Sequence, residues 1–181
     1  MNQKGFVNVA LMVFSVVVLA GMVGYITLIK KSAPSTGQQL ITEPAAKTDI
    51  EFARETLTAY FDLLSGKQYS EAVKYHGSGY GYLQNWNPTI DSNDYAALIK
   101  DGCEINGLQC LKIKNILDQQ RVSTTEFKFT VQFSNNDGTL FKQGPCCGLT
   151  EEQSPSKTDF EYTVRGANGG FLVMTQPVYV P

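Results

Sequence analysis

The chain of 181 residues contains a single histidine, His76, and this scarcity limits the chemistry that the sequence can support. A nucleophilic dyad needs a serine or cysteine beside the histidine, and only Ser78 is near it in sequence. A lone histidine at a helix end more often caps carbonyl groups than it catalyses. The sequence also lacks a histidine pair or carboxylate cluster at metal-ligand spacing, and it lacks a phosphate-binding glycine loop. We therefore predict no catalytic residue, no metal site and no cofactor.

Basic residues are too few for a nucleic-acid partner. Lys4, Lys30 and Lys31 are the only charged residues before Ser32, and they account for 3 of the 15 lysines and arginines. Residues 32–181 keep 12 basic residues against 17 acidic ones, so their net charge is −5. Because phosphate neutralisation requires clustered lysines and arginines, we predict that nucleic acid is not a partner.

Charged residues are absent altogether between Gly5 and Ile29, a run of 25 positions. At a rise of about 1.5 Å per residue, a helix of this length extends roughly 37 Å, which exceeds the hydrocarbon core of about 30 Å. We therefore predict that residues 5–29 cross a membrane and that residues 1–31 form a tail and an uncleaved signal-anchor. Residues 32–47, which hold two prolines and no sustained periodicity, are predicted to be a flexible linker.

Two processed forms are alternatives for the N-terminus. A cleaved secretory signal needs an apolar region of about 7–15 residues and a small-residue cleavage site, and this segment fits neither well. Lys4-Gly5-Phe6 resembles the junction cut by prepilin peptidase, which makes a minor pilin or pseudopilin the other alternative. Against it, Ala10 stands where a mature pilin usually has glutamate, and residues 32–37 stop the helix.

Residues 48–181 are enough for one globular domain, and its first half is predicted to be helical. Thr48-Asp49-Ile50-Glu51 fits a capping box, so we predict a long helix that begins here and ends at a left-handed Gly66. Two shorter helices are predicted, at Ser70–Tyr75, ended by Gly77, and at about Asp91–Lys100, closed by Gly102.

From Leu108 onward the hydrophobic period changes to two, which predicts strands. The clearest strand is Val122–Ser134, in which alternate residues face a core, namely Phe127, Phe129, Val131 and Phe133. Asn135–Gly138 is predicted to be a hairpin turn into a strand at Thr139–Gln143, and two more strands follow. Because helices come first and an antiparallel meander follows, we predict the α+β class.

The segment Gly77–Pro88 carries three aromatic residues on a flexible, glycine-rich backbone. Tyrosine and tryptophan combine apolar area with a polar tip, which suits the mouth of a ligand site. The candidate ligand-binding residues are Tyr80, Tyr82, Trp86 and, from the sheet, Tyr162. The alternative is that this segment lays its aromatic side chains over the end of the core.

The four cysteines, Cys103, Cys110, Cys146 and Cys147, are the most specific feature of the domain. Their even number favours two disulfide bonds in an oxidising compartment, and a vicinal Cys146–Cys147 bond would strain the peptide between them. We therefore favour bonds from that pair to Cys103 and Cys110, and we place the domain outside the cytoplasm. A zinc site, or four reduced thiols in the cytosol, are the alternatives.

The segment Thr58–Ala72, TAYFDLLSGKQYSEA, resembles the nuclear-transport-factor-2-like superfamily, which has a cystatin-like α+β fold. In that family a long first helix and a short second helix precede a curved antiparallel sheet. The Asp137-Gly138 hairpin and the strand at Gly169–Val173 are similar to its β half, so the resemblance covers residues 48–176. Its ketosteroid isomerase members use inward carboxylates, and the inward strand residues of this chain include none.

These features favour a membrane-anchored binding or interaction module outside the cytoplasm, whose partner is an unidentified protein or small molecule. The Lys-Gly-Phe start before a single span is similar to that of small membrane-anchored bacterial proteins. A pilin-like structural subunit is the first alternative function. The second is an isomerase- or dehydratase-like enzyme with a pocket lined by the four aromatic candidates, and a closed core filled with apolar side chains would remove it.

Overall fold

The computed structural model describes residues 47–181, in which helices precede strands. The helices are α1 (Asp49–Ser65), α2 (Tyr69–Ala72, followed by a 3₁₀ turn at Val73–Tyr75), α3 (Gly81–Trp86) and α4 (Tyr95–Glu104). The strands are β1 (Leu108–Gln109), β2 (Lys112–Arg121), β3 (Glu126–Ser134), β4 (Phe160–Ala167), β5 (Gly170–Val173) and β6 (Val178–Tyr179). This order confirms the predicted α+β class.

Two predictions, the membrane span at 5–29 and the linker at 32–47 except Lys47, lie outside the described residues, as does the alternative of a pilin-like N-terminus. Within residues 47–181, no helix is both long enough and apolar enough to cross a bilayer. The described residues belong to one compact unit.

The predicted capping box begins α1. The backbone N–H of Thr48 donates to Glu51 Oε2 at 2.7 Å. This hydrogen bond is the main reason why the pKa of Glu51 lies below its ordinary value. One face of the helix is buried, and it consists of Ala53, Leu57, Tyr60, Phe61 and Leu64. The predicted left-handed Gly66 is wrong, because Gly66 has φ −81° and Lys67 takes the left-handed conformation at φ 58°.

Two predictions about the other helices also need correction. The glycine-rich segment contains α3, whose single buried residue is Leu83. Helix α4 runs through Gly102 instead of ending there. A Cβ atom on Gly102 would lie 2.8 Å from the side chain of Leu83 and 2.9 Å from that of Leu108, so this glycine permits close packing and is not a cap.

The main sheet is antiparallel with the strand order β2-β3-β4-β5, and two register shifts in β2 bend it. The prediction for β3 is confirmed on its inner face, where all four predicted residues are at most 1 % exposed. The predicted turn at Asn135–Gly138 is present, and behind it Ser134 and Leu140 form an antiparallel bridge. The predicted strand at Thr139–Gln143 is wrong, because the regular strand that pairs with β3 on this side is β4. Residues 139–159 form only isolated bridges, and Pro145 and Pro155 interrupt a segment with little apolar alternation.

Helix α1 crosses the inner face of the sheet and closes the core. The ring centroid of Phe61 lies 4.8 Å from that of Phe133 and 4.9 Å from that of Tyr162. The side chains between α1 and the sheet are almost entirely shielded from solvent, so apolar and aromatic groups fill the space between the two layers. A small second sheet, β1 with β6, lies beside this core.

Candidate functional site

The four aromatic residues that were predicted to bind a ligand do not line one cavity. Trp86 is 39 % exposed and borders a shallow cavity of about 320 Å³. Tyr162 is 1 % exposed and borders a second cavity, of about 430 Å³. Tyr80 and Tyr82 border neither, and both are partly buried against the core. The arrangement matches the alternative interpretation, in which this segment covers the end of the core.

His76 is 7 % exposed and makes hydrogen bonds through both ring nitrogens. Its Nδ1 lies 2.8 Å from the hydroxyl of Tyr60 on α1. Its Nε2 lies 2.9 Å from Ser78 Oγ and 3.1 Å from the carbonyl oxygen of Gly79. The structure therefore brings His76 and Ser78 into contact and adds Tyr60, which sequence analysis did not connect with them.

The Tyr60–His76–Ser78 cluster has the outline of a nucleophilic triad, but its hydrogen bonds argue against that chemistry. The carbonyl of Gly79 can only accept, so its bond requires a proton on Nε2. Nδ1 is then the acceptor for the Tyr60 hydroxyl. In this tautomer Nε2 cannot take a proton from Ser78. Burial lowers the pKa of His76 and so favours the neutral ring.

Four phenol groups are held in their neutral form, and two of them, those of Tyr60 and Tyr80, lie next to His76. Burial raises the pKa of Tyr60 well above its ordinary value, and it raises the pKa of Tyr80 to about 12. The same cause raises the pKa of Tyr82 and Tyr162, whose buried hydroxyls make no hydrogen bond of good geometry. Such groups donate hydrogen bonds but do not serve as bases near neutral pH.

A larger cavity, of about 800 Å³, opens between the outer face of α1 and the β4–β5 hairpin, and we call it the α1–hairpin groove. Its lining consists of Asp49, Phe52, Glu55, Thr56 and Ala59 of α1, Lys74 and Tyr75 of the 3₁₀ turn, and residues 167–172. Phe52 is 46 % exposed, so a large aromatic side chain lies open to solvent at this groove.

The charged side chains that border the groove are all paired. The pairs are Asp49–Arg121 at 2.8 Å, Glu55–Lys47 at 2.6 Å, and Lys74–Glu71. Exposed pairs of this kind add little to stability, about 0–1 kcal/mol each. Their effect on the groove is to leave no uncompensated charge beside Phe52 and Ala59. The groove therefore suits an apolar group better than an ion.

Sequence analysis did not predict this groove, although one signal was present. Phe52 is a large apolar residue on α1 outside the buried stripe of the helix. The small residue Ala59 lies on the same lining. An aromatic residue on the solvated face of an amphipathic helix indicates a surface contact, and sequence analysis made no prediction for that face.

The structure corrects the predicted disulfide connectivity. Cys103 and Cys110 are bonded to each other, with their Cα atoms 5.5 Å apart. The favoured bonds from these two residues to Cys146 and Cys147 are therefore wrong, and the latter two are free thiols. The bond between Cys103 and Cys110 joins α4 to the chain after β1, and both residues lie against the core.

Within residues 47–181, no group of three or more histidine, cysteine, aspartate or glutamate residues is placed to hold a metal ion. Neither a protein-family model nor a curated protein matches the chain.

Proposed function

We propose that residues 48–181 form a non-catalytic binding module and that the α1–hairpin groove is its ligand-binding surface. The observation that carries the proposal is the exposed Phe52 beside an open groove of about 800 Å³ whose charged neighbours are paired. A cavity of this size lies within the usual range of ligand sites, about 300–1,000 Å³.

The core and its polar cluster favour binding over catalysis. Aromatic and aliphatic side chains fill the space between α1 and the sheet, which is the closed core that argues against the isomerase-like hypothesis. The proton on Nε2 of His76 and the neutral phenols leave the cluster without a base for Ser78. The Tyr60–His76–Ser78 cluster therefore has a structural role: its hydrogen bonds join α1 to the segment before α3.

The ligand that the groove fits is an extended polypeptide segment with apolar side chains. Strand β5 is an edge strand, and within residues 47–181 its one bridge on that side is from His76 to Val173. The antiparallel alternation with β4 directs the N–H and C=O of Phe171 towards this edge. A peptide that pairs there can place an apolar side chain against Phe52 in the neighbouring groove.

Selection of displayed random peptides against the full chain in lipid nanodiscs tests this proposal. Enriched peptides should carry apolar residues, and Phe52→Asp should weaken their binding by at least about tenfold, which corresponds to about 1.4 kcal/mol. Leu117→Asp is the matched control, because Leu117 is 50 % exposed on β2 and does not line the groove. Peptides that bind both variants equally, or no enrichment at all, would contradict the proposal.

We also propose that the domain is nuclear-transport-factor-2-like. A long α1, a short α2 and a bent antiparallel sheet whose inner face packs on α1 support this proposal. Membership of this superfamily does not by itself indicate a ligand. The interior position that holds catalytic groups in the enzymes of that family is filled with aromatic side chains here.

We propose further that residues 5–29 anchor the module with its globular part outside the cytoplasm. The Cys103–Cys110 bond supports this placement, because disulfides persist outside the cytosol and are reduced inside it. Maleimide labelling of intact cells, quenched under denaturing conditions, should leave Cys103 and Cys110 unlabelled until a reductant is added. Four labelled thiols without reductant would place the domain in the cytosol.

A further inference from the structure

Cys146 and Cys147 lie in a loop that is closed at its base and held together by its own hydrogen bonds. Gln143 and Lys157 exchange two backbone hydrogen bonds, at 2.9 and 3.0 Å, across the base. Within the loop, Ser156 donates to Glu151 through its backbone N–H at 2.8 Å and through its hydroxyl at 2.7 Å. The two cysteines are therefore presented on an ordered loop, away from the core of the domain.

The two cysteines are adjacent in sequence and lie on a tight turn. The backbone N–H of Leu149 donates to the carbonyl of Cys146 at 3.1 Å, and the central residues Cys147 and Gly148 have φ values of 64° and 79°. Both central residues are thus left-handed, the pattern of a type I′ turn, which is uncommon for a residue such as cysteine. Cys147 is exposed and Cys146 is half-buried.

The two cysteine pairs of this domain differ in the bond that each can form. Cys103 and Cys110 are separated by seven positions and are already bonded. A bond between Cys146 and Cys147 would close an eight-membered ring that contains their shared peptide, and planarity of that peptide opposes the closure. Strained and exposed disulfides are the easily reduced ones, whereas a bond that lies against the core is structural.

We propose that Cys146 and Cys147 form a reversible thiol–disulfide exchange site, while the Cys103–Cys110 bond stays closed. The co-reactant is a disulfide, either a low-molecular-weight one such as oxidised glutathione or the disulfide of an oxidoreductase. This site is separate from the α1–hairpin groove, and neither proposal depends on the other.

The two cysteines have different parts in the exchange. The thiolate of Cys147 attacks one sulfur of the co-reactant disulfide, which forms a mixed disulfide and expels one thiolate. The thiolate of Cys146 then attacks Sγ of Cys147, which forms the vicinal bond and expels the second thiolate. The two protons lost by the cysteines pass to the two expelled thiolates. In sum, two cysteine thiols are oxidised and one disulfide is reduced to two thiols.

Exposure assigns the first attack to Cys147, because a disulfide in solution can reach its sulfur. Cys146 is less accessible, and its hydrogen bond to Cys147, followed by burial, raises the pKa of its thiol. Both effects slow attack by Cys146 on an external disulfide. Neither prevents it from attacking the sulfur of Cys147, which is the next residue in the chain.

Equilibration of the full chain in glutathione buffers of graded redox ratio, followed by acid quench, maleimide labelling and intact mass measurement, tests the proposal. The Cys146–Cys147 disulfide should be reduced in a buffer that is still at least about tenfold more oxidising than the one needed to reduce the Cys103–Cys110 disulfide. Cys146→Ser should accumulate a glutathione adduct on Cys147, at least about tenfold faster than Cys147→Ser accumulates one on Cys146.

Three results would overturn the proposal. In the first, Cys146 and Cys147 stay as thiols, or each carries its own glutathione, in the most oxidising buffer. In the second, the two cysteine pairs open in one transition. In the third, the two serine variants react with oxidised glutathione at equal rates. The serine changes lie on a solvent-exposed loop, and an unchanged circular dichroism spectrum verifies that the variants are folded.

Discussion

Replacing Phe129 by alanine should lower the free energy of unfolding by about 3–5 kcal/mol, because it removes a ring from the centre of the core and leaves a cavity. Phe129 is 1 % exposed and lies opposite Tyr162 in the β3–β4 pair. Helix α1 covers this face of the sheet, so little solvent can enter to relieve the loss. Domains of this size are stable by only about 5–15 kcal/mol, so the change removes a large part of the total.

Urea unfolding of residues 48–181, followed by the fluorescence of the single tryptophan, Trp86, measures this loss. Phe52→Ala is the matched control, because it removes the same ring from a side chain that is 46 % exposed. We expect the control to change the free energy of unfolding by about 1 kcal/mol or less. Equal effects of the two changes would contradict the assignment of Phe129 to the core.

The parts of the fold that sequence analysis predicted correctly are those fixed by neighbours in the chain. The inner face of β3 follows from strict alternation, which fixes the direction of each side chain once one face is buried. The start of α1 follows from Thr48 and Glu51, whose hydrogen bond spans three positions. Burial and capping of this kind act over a few residues, so the sequence alone is sufficient to predict them.

Apart from the left-handed conformation, which is at Lys67 and not at Gly66, the incorrect predictions concern contacts between residues far apart in sequence. Nothing in the local sequence determines whether Asn135–Gly138 leads into the next strand, and β3 instead pairs with β4 after an excursion of 25 residues, 135–159. The cysteine pairing failed for a related reason, because a count of cysteines leaves the distances between them undetermined. The prediction for Gly102 is wrong because this glycine makes room for the side chains of Leu83 and Leu108. Only the assembled core brings those two residues against it.

The candidate site was predictable only in part. Ser78 was identified as the one neighbour of His76, but the partner on the other ring nitrogen, Tyr60, is 16 positions away on α1. That phenol and the Gly79 carbonyl determine the tautomer, and the tautomer decides what the histidine can do. The groove at Phe52 depends on how the β4–β5 hairpin lies against α1, which no periodicity in the sequence reports.

Lowering the pH from about 6.5 should destabilise the native domain, and His76 should be the cause. Burial lowers the pKa of His76 from its ordinary 6.5, so the unfolded chain binds a proton at a higher pH than the folded chain does. Between the two pKa values the unfolded state holds more protons, and stability therefore falls as the pH falls through this window. The slope is at most about 1.4 kcal/mol per pH unit, and it ends below the lowered pKa of the folded state.

The carboxylates of the domain do not obscure this window. Glu51, Glu104, Asp137 and Glu151 have pKa values held below their ordinary 4.5 or 3.8 by hydrogen bonds. A group with a lowered acidic pKa contributes stability above its unfolded value and loses it as the pH falls towards its folded value. In the unfolded chain these carboxyls take up little proton above about pH 6, so their losses begin below that pH, whereas the loss due to His76 has begun by about 6.5.

The measurement is the free energy of unfolding of residues 48–181 in urea at a series of pH values from about 6 to 7.5, above the range in which the carboxyls titrate. His76→Asn should abolish the slope in this range, because the chain has no other histidine. Tyr60→Phe should keep the slope, since burial is the first cause of the lowered pKa, but it should lower stability at pH 7.5 by about 1–3 kcal/mol by leaving Nδ1 without its donor. A slope that persists in His76→Asn, or a native domain whose stability is flat over this range, would show that His76 does not titrate as a buried group.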